Sequence, residues 1–530
     1  MSHDSFTDQT GTNGTVDVVS IHVSKHSADR EIMSLTDITI PEDIALNTDL
    51  YELTMAQGLF ESGMAQNKAA FSVYFRDNPF KGGYAISCGT AQIADMVENF
   101  HFDSEALSYL ASLKAPAGGP LFSRGFLGYL EDFRLSLDIW AVPEGEVVFA
   151  REPIAFVEGP LIDCQLIETA LLNLVNFQTL VATKCSRVVQ AAQGRSVFDF
   201  GLRRAQGPDG GLAVARASFV GGAVGTSNCL AGKMYDIPVI GTHAHSWVMA
   251  FPDELEAFRA YARSAPSNCV LLVDTYNVEQ GIQNALIVAK EMEGRGERLM
   301  GIRIDSGDLA RLSKRARQVF DAAGLDYVKI SASNDLDEYT IQSLMLQGAP
   351  IDSFGVGTKL ATCDPQPSLG GVYKLCATKR PGEKWMPTMK LSEQAYKRTI
   401  PGLQRVYRFC NREGVYTGDI IVDNLKDSHN LSYSVDVLDT QTIYPNESSE
   451  YFQLLEPVVK EGASTGITSD VHAGQLRAQR SLARLDGSHK RFLNPQLYPV
   501  GLENSLNGLR CKLAFRTLTQ NLGVFQTNLE

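Results

Sequence analysis

The sequence predicts an α/β protein organised around a barrel of parallel strands, with companion segments before and after it. Three observations predict this. Short apolar runs end again and again in small or polar residues, at intervals of roughly 20 to 32 residues, about one strand plus its helix. The stretches between those runs carry apolar residues at helical spacing. At 530 residues the chain is longer than one compact domain, and the regular alternation covers only its middle. A doubly wound open sheet shows the same alternation, so that alternative stays open here.

Composition narrows the function classes. With 48 basic and 61 acidic residues the net charge is −13, which argues against a nucleic-acid binder but leaves room for a local anion site. Nine cysteines are scattered without a C-x-x-C, as expected of reduced thiols in a cytoplasmic protein rather than a disulfide framework or zinc knuckle. No apolar run approaches the roughly 18 residues of a membrane span. The first residues lack the basic-then-apolar layout of a signal peptide. The expectation is a cytoplasmic chain with no membrane and no nucleic-acid partner.

In order along the chain, residues 1–38 are polar and poor in aromatics, and are expected to be disordered. From Asn47 the chain reads as folded. Asp49 is placed to cap a helix carrying Leu53, Ala56, Leu59 and Phe60 at helical spacing. "AAFSVYFRDNPF" follows as a strand ending in an Asp-Asn-Pro turn, helical patterns fill about 90–138, and "PEGEVVFAREPIAFVEGP" reads as short strands. The barrel strands are then "SVFDFG", "ASFVGGAVGTSN", "PVIGTHAHS", "CVLLVDTYN", "LMGIRIDSGD", "DYVKISASND" and "IDSFGVGTKL", with an eighth unplaced. One intervening helix runs over Leu309, Leu312, Ala316, Val319 and Phe320 and is closed by Gly324. After about 370 the alternation fades into strands and terminal helices.

In a parallel barrel the active site is built just past the strand ends. Those positions are Arg203, Arg204, Ser227, His243, His245, Asp274, Arg303, Asp305, Ser333, Asn334, Gly357 and Thr358, groups suited to phosphate and sugar hydroxyls. In "FDFGLRRAQGPDGG" the paired Arg203 and Arg204 suit a pyrophosphate through forked hydrogen bonds. In "IRIDSGDLA" Asp305 ends a strand, placed for ribose hydroxyls or a water-held Mg2+, while Ser306 or Asp308 caps the next helix. The alternating glycines of "FGVGTKL" offer backbone N–H groups to a phosphate. "GTSNCLAGKM" fails as a P-loop at Ser227 and Met234.

The pair His243 and His245 raises a metal reading. A metal-dependent barrel hydrolase needs a third ligand, and the only other histidine between residues 30 and 400 is His101, far upstream. Asp274 and Asp305 are the remaining candidates, among neighbours that suit phosphate better than zinc.

Taken together, "NTDLYELTMAQG", "YFRDNPFKGGYAI", "ETALLNLVNFQTLVATK", "GLRRAQGPDGG", "GTHAHSW", "LLVDTY", "RIDSGDL", "GVGTKL" and "MKLSEQAYKRTIPG" resemble the nicotinate phosphoribosyltransferase family. They stand in that family's order from about residue 43 to 402. The resemblance implies an irregular TIM-like α/β barrel, residues 161–375. Beside it would lie an α+β sandwich domain built from N- and C-terminal segments, 39–160 and 376–530. It implies formation of nicotinate mononucleotide and pyrophosphate from nicotinate and phosphoribosyl pyrophosphate, the first step of NAD synthesis from nicotinate. ATP hydrolysis would be coupled through a phosphohistidine. Mg2+ would accompany the phosphoribosyl pyrophosphate and ATP, with no tightly bound organic cofactor. The assembly would be a homodimer with active sites at the interface.

Residue by residue, His245 is similar to the histidine that takes the phosphate, and His243 is expected to be filler. Phe200 would form one wall for the pyridine ring and Tyr51, from the neighbouring subunit, the other. Arg303 would hold the nicotinate carboxylate and Asp305 the ribose hydroxyls. Arg203, Arg204 and, across the interface, Arg76 would face phosphates; Gly357 and Thr358 would cradle the 5′-phosphate. Ser227 stands where the related nicotinamide-using enzyme has an acid, which would repel a carboxylate. That enzyme is the close alternative. A non-catalytic relative is disfavoured by the intact arginines, Asp305 and His245.

Overall fold

The computed structural model describes residues 40–521, apart from 42, 393, 395–396, 427, 438–441, 444–449 and 467–469. The expected disordered extension, 1–38, lies outside the described residues. Six parallel strands form one sheet in the order Gly225–Thr226, Ser196–Asp199, Ser353–Val356, Lys329–Ala332, Gly301–Ile304, Val270–Leu272. Sequence neighbours are spatial neighbours, and the first strand lies beside the last. That cyclic order is a ring's, since a doubly wound sheet reverses its winding midway.

The expected "PVIG" strand contributes a single bridge, Val239 to Thr226. Ile240 donates to the Thr226 carbonyl (2.9 Å) and Thr226 to that of Pro238 (3.0 Å). Pro238 has no N–H to extend the ladder. No backbone ladder joins this segment to Val270–Leu272, so the ring has one seam among the described residues.

Helices follow the strands with the same start signal. Asp253, Asn277, Asp308 and Asp337 each accept the N–H three residues on, at 2.7–3.0 Å. Asp308, not Ser306, is therefore the cap. Leu271, Ile302, Ile330 and Phe354, all fully buried, pack the sheet's core. The helix Leu50–Glu61 forms as expected, but the Asp49 side chain makes no cap bond.

Outside the parallel sheet, N- and C-terminal strands interleave. Lys68–Phe75 runs antiparallel between Gly371–Lys379 and Ala155–Pro160, and Asp138–Ala141 pairs with Glu456–Lys460. The strand Gly371–Lys379 spans residue 375 and pairs with Lys68–Phe75 along its length. A second six-stranded sheet centres on Gln404–Cys410, Tyr416–Asp423 and Val500–Glu503. Buried Arg408 pairs with Asp419 of the same sheet (2.7 Å) and joins that sheet to the N-terminal part through Glu146 (3.1 Å) and the Val147 carbonyl (2.8 Å). The 24-residue helix Glu168–Ala191 packs against Ser196–Asp199 of the parallel sheet and Gly371–Lys379 of the antiparallel one; its Lys184 and Arg187 clasp Glu338. Among the described residues no helix is long and apolar enough to cross a membrane.

Candidate active site

The carboxyl ends of the six strands share one edge of the sheet, which brings the predicted groups together. Asp199 ends the first strand and is buried. Its carboxylate accepts from Gly201 N–H (2.8 Å) and Thr226 Oγ1 (2.7 Å), and its carbonyl accepts from Ser227 N–H (2.9 Å). One side chain thereby fixes the backbone around both Phe200 and Ser227. Burial pushes the Asp199 carboxyl upward. The Phe200 ring lies over Gly355, where a Cβ would stand 2.4 Å from it. The first glycine of "FGVG" thus makes room for an aromatic ring. Gly357 caps the four-residue helix Thr358–Ala361 and keeps its own Cβ position 3.2 Å from the Phe200 carbonyl. Arg203 and Arg204 project as exposed side chains from a short 3-10 turn directly after Gly201.

At the seam, His245 begins the helix His245–Met249 and is half exposed. Its Nδ1 lies 3.1 Å from Thr275 Oγ1, and its Nε2 lies 3.7 Å from Asp305. Asp305 in turn accepts a short hydrogen bond from Ser333 Oγ. Asp274 accepts from Asp305 N–H (3.0 Å) and Ser306 Oγ (2.6 Å), while its buried Oδ1 has no protein partner among the described residues. Arg303 donates from Nη2 to the His243 carbonyl (3.2 Å), and its buried Nε has no partner among the described residues. Burial pulls the Arg303 guanidinium below its ordinary value, against the nearby Asp305 and Asp274. Asn334 holds a positive φ of 97°, a conformation costly for a side chain other than glycine.

Tyr51 and Arg76 belong to a second cluster, on the companion sheets. Tyr51, at the start of the first helix, lines an open pocket of about 340 Å³ with Glu168, Asn173, Asn176 and Ser368. Arg76 follows the strand Lys68–Phe75, near Lys374, whose ammonium is pulled below its ordinary value by burial and by the charges of Arg76 and Lys390. Beside Tyr51, burial pushes the Glu52 carboxyl up to about 7, against hydrogen bonds from Thr169 and Thr48.

His243 is not filler. Its ring is buried, its Nε2 accepts from Leu272 N–H (3.1 Å), and its Nδ1 faces the Ala244 carbonyl (3.3 Å). With both nitrogens engaged it is no metal ligand, which removes the His243/His245 pair on which the hydrolase reading stood. The sequence reading missed two residues that set the site, Asp199 and Thr275, whose partners are other site residues, while Ser333 stood among its strand-end positions. Asp199 alone carried a signal, as an acid inside an apolar run.

A one-way order of parallel strands whose ends gather arginines, a histidine, two aspartates and a phenylalanine defines the candidate site of an α/β enzyme. Three family profiles match: the nicotinate phosphoribosyltransferase N-terminal domain over residues 46–176, the nicotinate phosphoribosyltransferase family over 196–379, and the C-terminal domain over 403–510. The nicotinate phosphoribosyltransferase of Bacillus subtilis is 41% identical over 87% of this chain and 93% of its own length. That of Rattus norvegicus is 32% identical over 89% and 97%. The crystal structure of human nicotinic acid phosphoribosyltransferase superposes with a TM-score of 0.77 at 31% identity, over 88% of this chain and 99% of its own. The chain belongs to the nicotinate phosphoribosyltransferase family.

Proposed function

We propose that the protein joins nicotinate to phosphoribosyl pyrophosphate, giving nicotinate mononucleotide and pyrophosphate, with ATP and water consumed to ADP and phosphate. The observation that carries this reading is the constellation at the strand ends: Arg303 with a buried Nε that has no partner among the described residues, Phe200 seated on Gly355, and Asp305 beside His245.

Each group has a task that its surroundings suit. A carboxylate on Arg303 would satisfy the buried Nε and restore the charge balance that burial opposes. The Phe200 face holds the flat ring, so that its nitrogen meets the anomeric carbon in line. No general base is required, because nicotinate at neutral pH has a free ring nitrogen. The anomeric centre passes through an oxocarbenium-like state. Asp305, fixed by Ser333, accepts ribose hydroxyls. Arg203 and Arg204 neutralise the leaving pyrophosphate. Asn334, Gly357 and Thr358 face the sugar phosphate. Mg2+ entering with the phosphorylated substrates fits the hard oxygens of Asp305 and Asp274, the latter with its orphan Oδ1. It would add charge stabilisation to the leaving group.

The Nδ1 of His245 is held by Thr275, which leaves Nε2 to take the γ-phosphate of ATP. Hydrolysis of that phosphohistidine returns the free imidazole and couples ATP to substrate binding. The assembly in this reading is a homodimer in which Tyr51 and Arg76 complete the partner's site.

The test offers nicotinate and nicotinamide separately with phosphoribosyl pyrophosphate and Mg2+, each with and without ATP, beside His245→Ala. Product from nicotinate alone, accelerated by ATP in the wild type and not in the variant, is the expected result. Preference for nicotinamide would overturn the reading of Ser227.

A further inference from the structure

The seam of the ring falls at the reacting centre. On one side lies the segment Pro238–Ile240, leading to His245; on the other, the strand Val270–Leu272, leading to Asp274 and Thr275. Val273 N–H donates to the Arg303 carbonyl (3.1 Å) and Met300 N–H to that of Cys269 (3.0 Å). Odd-numbered residues here therefore face the strand Gly301–Ile304. Leu272 N–H points the other way, into the seam, and Leu272 is fully buried. Among the described residues no neighbouring strand receives it, and a buried N–H without an acceptor is costly.

The His243 ring fills that place. Its Nε2 receives Leu272 N–H at 3.1 Å. Since a backbone N–H only donates, Nε2 is the acceptor and the ring proton sits on Nδ1, toward the Ala244 carbonyl. Tyr261 meets the ring edge-on at 4.7 Å between centroids and holds its plane. Burial keeps the imidazole neutral, with its pKa at about 4.

We infer that His243 is a positioning residue, a side-chain replacement for the missing backbone ladder that fixes the seam across which His245 meets Thr275. His245 is two residues beyond His243, and Thr275 three beyond Leu272. The single hydrogen bond to the Leu272 backbone thus sets the register of the 3.1 Å contact that orients the His245 ring. The functional half of this inference rests on His245 as the phosphate acceptor.

Two polar variants separate the acceptor from mere packing. His243→Gln keeps an acceptor where Nε2 stands; His243→Asn offers polar atoms only where Nδ1 stands. In the full-length protein, amide exchange at Leu272 is expected to be slow in the wild type and in His243→Gln, and fast in His243→Asn. Label taken up by residue 245 from γ-phosphate-labelled ATP is expected to fall about ten-fold in His243→Asn and to recover in His243→Gln. ATP-independent turnover is expected to fall by no more than about two-fold. Slow exchange and full labelling in His243→Asn would overturn the inference, as would loss of both in a folded His243→Gln. A nitrogen-15 spectrum of the wild type with the His243 proton on Nε2 would overturn it without any variant. No label in the wild type would remove the phosphohistidine and the functional half with it, while Leu272 exchange would still decide the seam.

Discussion

Arg303 and Glu52 show how single side chains carry their surroundings in their chemistry. Arg303 sits below its ordinary basicity because burial outweighs two neighbouring carboxylates. A planar guanidinium whose Nε has no partner among the described residues is suited to a forked carboxylate partner, and lysine offers a point charge instead. Arg303→Lys is therefore expected to raise the KM for nicotinate about 30-fold or more, roughly 2 kcal/mol, with a smaller effect on kcat, measured by initial rates at saturating phosphoribosyl pyrophosphate. Glu52 has no exposed surface, and burial raises its carboxyl to about 7. The folded chain holds that proton to higher pH than the unfolded chain does. Folding thus takes up a proton between the unfolded carboxyl value and about 7, and stability falls as pH rises through that window. In Glu52→Gln this dependence is expected to vanish, with a gain of roughly 1–3 kcal/mol over the wild type at pH 8, read from denaturant melts at pH 5 and pH 8. Neither property was legible in the sequence. Arginine and aspartate at strand ends announce a site, but pKa shifts arise from burial, which neighbours distant in sequence impose.

At the level of elements, the alternation of apolar runs and helical stretches marked the region of all six strands, because strand and helix periods are local properties, but the ASFV of "ASFVGGAVGTSN" ends the helix Gly207–Val220 and only Gly225–Thr226 of that run is strand. The cap of the helix Leu309–Ala322 was narrowed by sequence to Ser306 or Asp308, and the hydrogen bond to Arg311 N–H decides for Asp308. What failed was what depends on a neighbour. The "PVIG" run has the apolar character of a strand, yet Pro238 and the open seam leave it one bridge. Closure through the pairing of Ser196–Asp199 with Ser353–Val356 joins residues more than 150 apart, which no local pattern encodes. The "FGVG" turn is an intermediate case. Its glycines were read as a backbone cradle for a phosphate, and the structure gives the first of them another task, making room for the Phe200 ring. Gly355→Ala is expected to displace the Phe200 ring, since a Cβ 2.4 Å away leaves no room. The cost is about 1–3 kcal/mol of stability, with a several-fold higher KM for nicotinate and little change in binding of the sugar phosphate. Thermal melts and separate KM values for the two substrates decide it; equal losses for both would place the ring elsewhere in the site.

For the whole molecule, the two clusters pose a question of assembly. His245, Asp305, Arg303 and Phe200 gather at the strand ends, whereas Tyr51 and Arg76 stand on the companion sheets with Glu168 and Lys374. Arg76 carries a buried Nε without a partner among the described residues, and Tyr51 is about half exposed at 46%. Both stand as a wall and a charge open to a ligand, and the proposed homodimer would bring them one from a neighbouring chain. Complementation tests this. Arg76→Ala and Arg303→Ala should each be nearly inactive alone, since each removes one half of every site. In a mixed dimer with shared sites, one site carries both lesions and the other carries none. Random exchange of subunits makes about half the dimers mixed, each with one intact site, so about a quarter of wild-type activity should return. If each chain completes its own site, mixing restores nothing, because every site then keeps exactly the lesion of its own chain. The measurement is activity before and after mild denaturation and refolding of the mixture, with each variant refolded alone as the baseline.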